Sequence, residues 1–134
     1  MKLTKAERDF IHTARVARLA TVDARGIPAN VPICPLFDAG KIYLGTEARA
    51  KKIRNIQANP HVALAFDDYT DAWAYLRGIM IQGRARVVER RQFRTLRKKL
   101  YAKYLQYPVE APLTEGGAAI IEVIPEKKLS WGLK

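Results

Sequence analysis

Between Ile27 and Phe37 apolar residues recur at 27, 29, 31, 33 and 37, while prolines stand at 28, 32 and 35. Alternation of this kind marks a strand with one face on a core. Proline has no N–H to give to a ladder, so the strand is expected at a sheet edge, or with its ladder open where something else approaches. This requirement limits how the rest of the chain can be arranged around it.

Before this stretch, Val16 to Val22 reads as a strand and Asp23 to Gly26 as its turn, which makes a hairpin. Asp38-Ala39-Gly40 then turns the chain into a third strand, Lys41 to Gly45. A first helix is signalled by the Thr4/Glu7 capping pattern with Phe10, Ile11 and Ala14 on one face. Thr46 to Asn59 has helical spacing, with Ile53 and Ile56, and stops at Asn59-Pro60. His61 to Phe66 is a short strand, and Trp73 to Val88 a long one on which Trp73, Tyr75, Ile79, Ile81, Ala85 and Val87 share a face with Arg77 among them. Gly78 and Gly83 are candidate bulges in it. Residues 90 to 105 form a helix with Phe93, Leu96, Leu100 and Tyr104 on one side, Gln106 to Gly117 is a loop, and Ala118 to Ile124 is the last strand.

Hairpin-joined strands with inserted helices indicate an α+β, mostly β fold with an antiparallel sheet rather than a doubly wound one. Six strands with strong curvature signals predict a small barrel with flanking helices. At 134 residues, a single domain spanning 1–134 is expected.

The chain carries 24 Lys plus Arg against 13 Asp plus Glu, a net charge of +11, so its partners are expected to be anions. Nucleic acid, an acidic surface and a small anionic cofactor all meet that description. The single cysteine, Cys34, excludes an intrachain disulfide and a four-cysteine metal site, and its place in an apolar strand reads as a buried, inert thiol. His12 and His61 are far apart, so no metal is expected. Neither a signal peptide nor a spanning segment is legible, and a reducing cytoplasm fits best. The motifs of dinucleotide folds, P-loops and nucleophile elbows are missing, and Ser130 is the only serine.

The most informative stretch runs from Thr46 through Arg49, Lys51 and Lys52 to Asn55. It puts cations into the first turns of a helix, where the macrodipole disfavours each by about 0.3–1 kcal/mol. A bound phosphate reverses that sign, because backbone N–H groups and these side chains then converge on an anion. The alternative is a solvated basic turn. An open ladder around Val31, Pro32 and Ile33 could meet the polar edge of a flat heterocycle, or could simply protect an edge. Arg77 either snorkels to solvent or meets an electron-rich ring. A second basic run, nine Lys or Arg between Arg84 and Tyr104 with one acid, reads as a solvated helix face, or as a seat for a polyanionic cofactor tail or a phosphodiester backbone.

Three stretches together resemble the pyridoxamine 5'-phosphate oxidase-like superfamily of flavin-binding split β-barrels. They are Ala14 to Val22 with Gly26-Ile27-Pro28; Lys52 to Leu64, containing Asn55-Ile56-Gln57-Ala58-Asn59-Pro60; and Trp73 to Gly83. Within that group Asp67-Asp68-Tyr69, Trp73, Tyr104 to Pro108 and Ser130-Trp131-Gly132 resemble the small deazaflavin-dependent oxidoreductases. The resemblance implies a six-stranded split barrel, assembled as a homodimer with its cofactor, F420 or FMN, in a groove between subunits. It places Thr46, Arg49, Lys51 and Lys52 at the cofactor phosphate and Val31, Pro32 and Ile33 along the ring. Arg77 and Gly78 fall where related enzymes carry an Arg-Gln pair. The chain reaches Lys134 without the Arg-Leu-x-Pro-like ending of true pyridoxamine phosphate oxidases, so vitamin B6 synthesis is not expected. The implied activity is hydride transfer between the cofactor and a small organic substrate. The rival expectations are a non-enzymatic flavin- or haem-binding barrel and a basic nucleic-acid-binding domain.

Overall fold

The computed structural model describes every residue from Met1 to Lys134. Its elements, in order, are α1 (Lys5–Thr13), β1 (Ala17–Val22), β2 (Pro28–Ile33), β3 (Leu36–Asp38), β4 (Lys41–Glu47), α2 (Lys51–Ala58), β5 (His61–Asp68), β6 (Arg77–Val87), α3 (Arg90–Lys103), α4 (Tyr107–Glu110) and β7 (Ala118–Trp131). The strands form one curled sheet in the order β2-β1-β5-β6-β7-β4-β3, and every neighbouring pair is antiparallel.

Seven strands are present where six were expected, because the proline-bearing arm is two strands. β2 pairs with β1 (Ile33 opposite Ala17), whereas β3 pairs with β4 (Leu36 opposite Tyr43). The break falls at Cys34-Pro35, where proline restricts the residue before it and removes a donor. The two halves lie on the two opposite edges of the sheet. The edge expectation for Pro28 and Pro32 therefore holds. The crossing is fastened from α3: Lys103 Nζ donates to Pro35 O and Ala14 O, both at 2.7 Å, and Tyr104 Oη donates to Pro35 O at 2.7 Å.

Further boundaries moved for identifiable reasons. Trp73–Tyr75 is a 3-10 turn, not strand, and both aromatic rings are exposed, so they share no face with Ile79. The register shift that bends β6 is at Gln82/Gly83, as one of the two glycines suggested, while Gly78 stays in regular pairing opposite Trp131. There the missing side chain makes room: a Cβ on Gly78 would lie 2.4 Å from the Trp131 ring. The strand expected to end at Ile124 continues to Trp131 because β6 offers it a full-length partner. Tyr107–Glu110 forms one helical turn within the expected loop.

The sheet buries residues on both sides. On its concave face Leu19, Ile42, Leu64, Ile79, Ile81 and Ile121 meet Ile11 of α1 and Ile53 and Ile56 of α2. On the other, Tyr43 and Ile120 meet Phe93, Leu96, Leu100 and Tyr104 of α3. Each such aliphatic side chain removed from water contributes roughly 1.5–3 kcal/mol. Two buried carboxylates are fully partnered. Glu122 accepts from Tyr43 Oη at 2.9 Å and Arg86 Nε at 2.8 Å. Burial works to raise its pKa, but those bonds and the nearby Lys41 hold it below the ordinary value. Glu7 completes the capping box with Thr4 and accepts from Lys128 Nζ at 2.5 Å, tying α1 to β7.

Candidate functional site

The cationic stretch lies where β4 gives way to α2. Thr46 is still in β4, opposite Ala119 of β7, and the chain turns through Ala48 to Ala50 before the helix begins at Lys51. Thr46 and Arg49 thus precede the helix instead of lying inside it, while Lys51 and Lys52 are its first two residues. The start is bare. Ala50 at the N-cap has no side chain to offer, and the first turn contains no acid. Most helices satisfy these N–H groups with Ser, Thr, Asp or Asn, at about 1 kcal/mol of benefit.

The side chains around this start converge only in part. Lys52 is half-buried and its Nζ donates to Thr46 Oγ1 at 3.2 Å. Arg54 Nη1 donates to Arg49 O at 2.7 Å, which fixes the turn. Lys51 and Arg49 are exposed and make no ion pair. Glu47, the nearest acid in sequence, alternates to the opposite face of β4 from Thr46. Ammonium groups, a hydroxyl and free backbone N–H groups form a donor set suited to a phosphate monoester.

The position of α2 is set by a residue whose role the sequence reading did not identify. Asn55 Nδ2 donates to Thr21 Oγ1 of β1 at 3.0 Å, and both residues are buried. A signal was present: Asn55 sits between Ile53 and Ile56 on the inward stripe, where a polar side chain needs a partner.

The remaining candidates lie elsewhere. Arg77 grips Asp68, with Nη2 to Oδ2 at 2.7 Å, and lies over the Phe10 ring at 5.1 Å. Its guanidinium is half exposed and held by Asp68, so it does not snorkel freely. Gly78 is opposite Trp131 at one end of β7, and Thr46 is opposite Ala119 at the other. Those partners stand twelve positions apart along β7, about 40 Å of strand path at about 3.3 Å per residue. Val31, Pro32 and Ile33 line the free edge formed by β2, with Val31 exposed and Ile33 buried. One copy of the chain does not gather all nine candidates.

The family model for pyridoxamine 5'-phosphate oxidase matches residues 3–132. The chain belongs to that family. The chain is also similar to a 5a,11a-dehydrotetracycline/5a,11a-dehydrooxytetracycline reductase from Streptomyces rimosus, 38% identical over 72 residues. That alignment covers 51% of this chain, and the chain matches about half the length of that reductase, 51%. Among solved structures, an F420 reductase superposes with a TM-score of 0.76 at 23% identity, covering 95% of this chain and 98% of the other. HutZ, a haem storage protein from Vibrio cholerae, gives 0.80 at 17% identity, covering 99% and 97%. These likenesses establish the family's split-barrel fold for the chain. No helix is long and apolar enough to cross a membrane.

Proposed function

We propose that the chain is an oxidoreductase that holds a phosphorylated flavin or deazaflavin, FMN or F420, and acts on a small organic molecule. The observation that carries this reading is the uncapped start of α2, with Lys51 and Lys52 on its first two positions and Thr46 beside Lys52. Family membership supports the class of ligand, and the similarity to a dehydrotetracycline reductase supports the class of reaction. When bound, the cofactor supplies hydride transfer, and the protein supplies orientation and charge. Lys51, Lys52, Arg49 and the α2 N–H groups would take the phosphate, and Thr46 would hold Lys52 in place. The net charge of +11 favours F420, whose tail adds carboxylates, over FMN.

A homodimer completes the reading. Because Thr46 and Gly78 sit at opposite ends of β7, a second copy is the natural source of the Arg77, Gly78 and Val31 to Ile33 surfaces at a shared groove.

Titration of the purified protein with FMN and with F420, followed by visible absorption and fluorescence, tests the assignment. At least one should bind, and changing Lys51 and Lys52 together to Ala should weaken it tenfold or more. If neither cofactor binds, the reading fails. Binding unchanged in the double variant removes the phosphate site.

A further inference from the structure

A well-formed cavity lies away from the start of α2. It is a half-open groove of about 850 Å³ between the start of α3, the end of β6 and the start of β7. Its floor is apolar, built from Val87, Val88, Phe93, Ala118 and Ile120, and it is held shut at one side by the Val88 N–H bond to Ile120 O at 2.9 Å. Its rim carries Arg90, Arg91 and Arg94 against one carboxylate, Glu115.

The charges on that rim are unevenly spent. Arg94 takes Glu115 with two bonds, Nε to Oε1 at 2.5 Å and Nη2 to Oε2 at 3.4 Å, and Arg97 reaches Glu115 Oε1 at 3.9 Å. Arg91 turns to Glu89 at 2.7 Å. Arg90 forms no ion pair and acts on Glu115 only at longer range. Four guanidinium groups, those of Arg90, Arg91, Arg94 and Arg97, against the two carboxylates of Glu89 and Glu115 leave an excess of two positive charges beside an apolar floor, and the groove lies within the volume range of about 300–1,000 Å³ that small-molecule sites occupy.

We infer that this groove binds a small amphipathic anion, a carboxylate with an apolar body, whose head meets Arg90 at the rim and whose body lies on Val87, Phe93 and Ala118. A neutral apolar molecule would strip water from the guanidinium groups without replacing its hydrogen bonds. A bare inorganic anion would leave the floor wet. The amphipathic anion satisfies both surfaces, and Arg is suited to it because its planar fork binds carboxylate in pairs of bonds. The inference stands apart from the cofactor reading, since none of the residues assigned to the phosphate lines this groove.

Octanoate, octanamide and inorganic phosphate, each titrated into the full chain by calorimetry, provide the test. Octanoate should bind at least tenfold more tightly than either of the others. Arg90→Gln should weaken octanoate at least fivefold, whereas Arg25→Gln, an equal loss of charge in an exposed turn, should leave it unchanged. Arg90 is exposed and unpaired, so its replacement does not threaten the fold. No octanoate binding overturns the inference, as does an equal effect of the two variants, which would mean general attraction to a basic protein. Displacement of octanoate by excess FMN or F420 would assign the groove to the cofactor and overturn it as a separate site.

Discussion

Asn55 Nδ2 donates to Thr21 Oγ1 at 3.0 Å inside the barrel, and this bond fixes the angle at which α2 meets β1. Removing one partner leaves the other buried and unsatisfied, at a cost of about 1–3 kcal/mol. Asn55→Leu and Thr21→Val should each lose stability in that range in urea denaturation, and the double variant less than their sum. Thr21→Val should also weaken FMN or F420 binding although Thr21 touches no phosphate donor. Strict additivity of the two losses would show that the bond is not what they share.

Gly78 is opposite Trp131, and its missing side chain is filled by the indole. A Cβ there would also lie 2.6 Å from Phe66 O, so the sheet itself resists the change. Gly78→Ala should destabilise by about 1–3 kcal/mol, as overpacking does. Trp131 fluorescence should shift to the red in the native state, because the ring is displaced outward. An unmoved spectrum with unchanged stability would contradict the close packing.

Burial pushes the Glu7 carboxyl upward, but the Lys128 ammonium and the Thr4 N–H outweigh it and hold the pKa at about 2. A carboxyl depressed in the folded state contributes stability that is complete above its unfolded value, about 4.3, and is lost as pH falls toward 2. Wild-type stability should therefore drop between pH 5 and pH 2. Glu7→Gln should lower stability at neutral pH by about 1–3 kcal/mol and flatten that part of the profile.

Lys103 behaves in the opposite sense. Desolvation, helped by Arg15, lowers its amine to about 8 from the ordinary 10.5. The folded state then binds fewer protons than the unfolded state between those values, so this group adds stability as pH rises from 8 to 10. Lys103→Met should lack that rise when unfolding is followed across the window.

The border of the sheet was legible because prolines at 28, 32 and 35 forbid a central ladder, and the bulge at Gly83 because glycine interrupts an alternating run. What stayed hidden depends on partners distant in sequence. The turn at Asp38 to Gly40 pointed to the β3–β4 pairing, but nothing near Pro35 announces that β2 and β3 end on opposite edges of the sheet, and the reach of β7 to Trp131 is set by β6. In the site, the cations at Lys51 and Lys52 stood out because they violate helix electrostatics. Their separation from Arg77 and Gly78 did not, since it is measured along a strand 40 residues or more further on. The α3 arginines looked like a solvated face, and that reading missed the apolar floor beside them because part of it comes from β7.

β7 also dictates when the protein can become itself. It is the shared neighbour of β6 and β4, and its Lys128 closes on Glu7, 121 residues earlier. During synthesis, β3 and β4 have no sheet to join until residues 118–131 have left the ribosome, so the barrel assembles late and chiefly through contacts remote in sequence. Slow folding is the expected signature of such a topology. A growing chain would leave the apolar inner faces of β4 and β6 bare throughout that interval, with nascent-chain chaperones as their first protection.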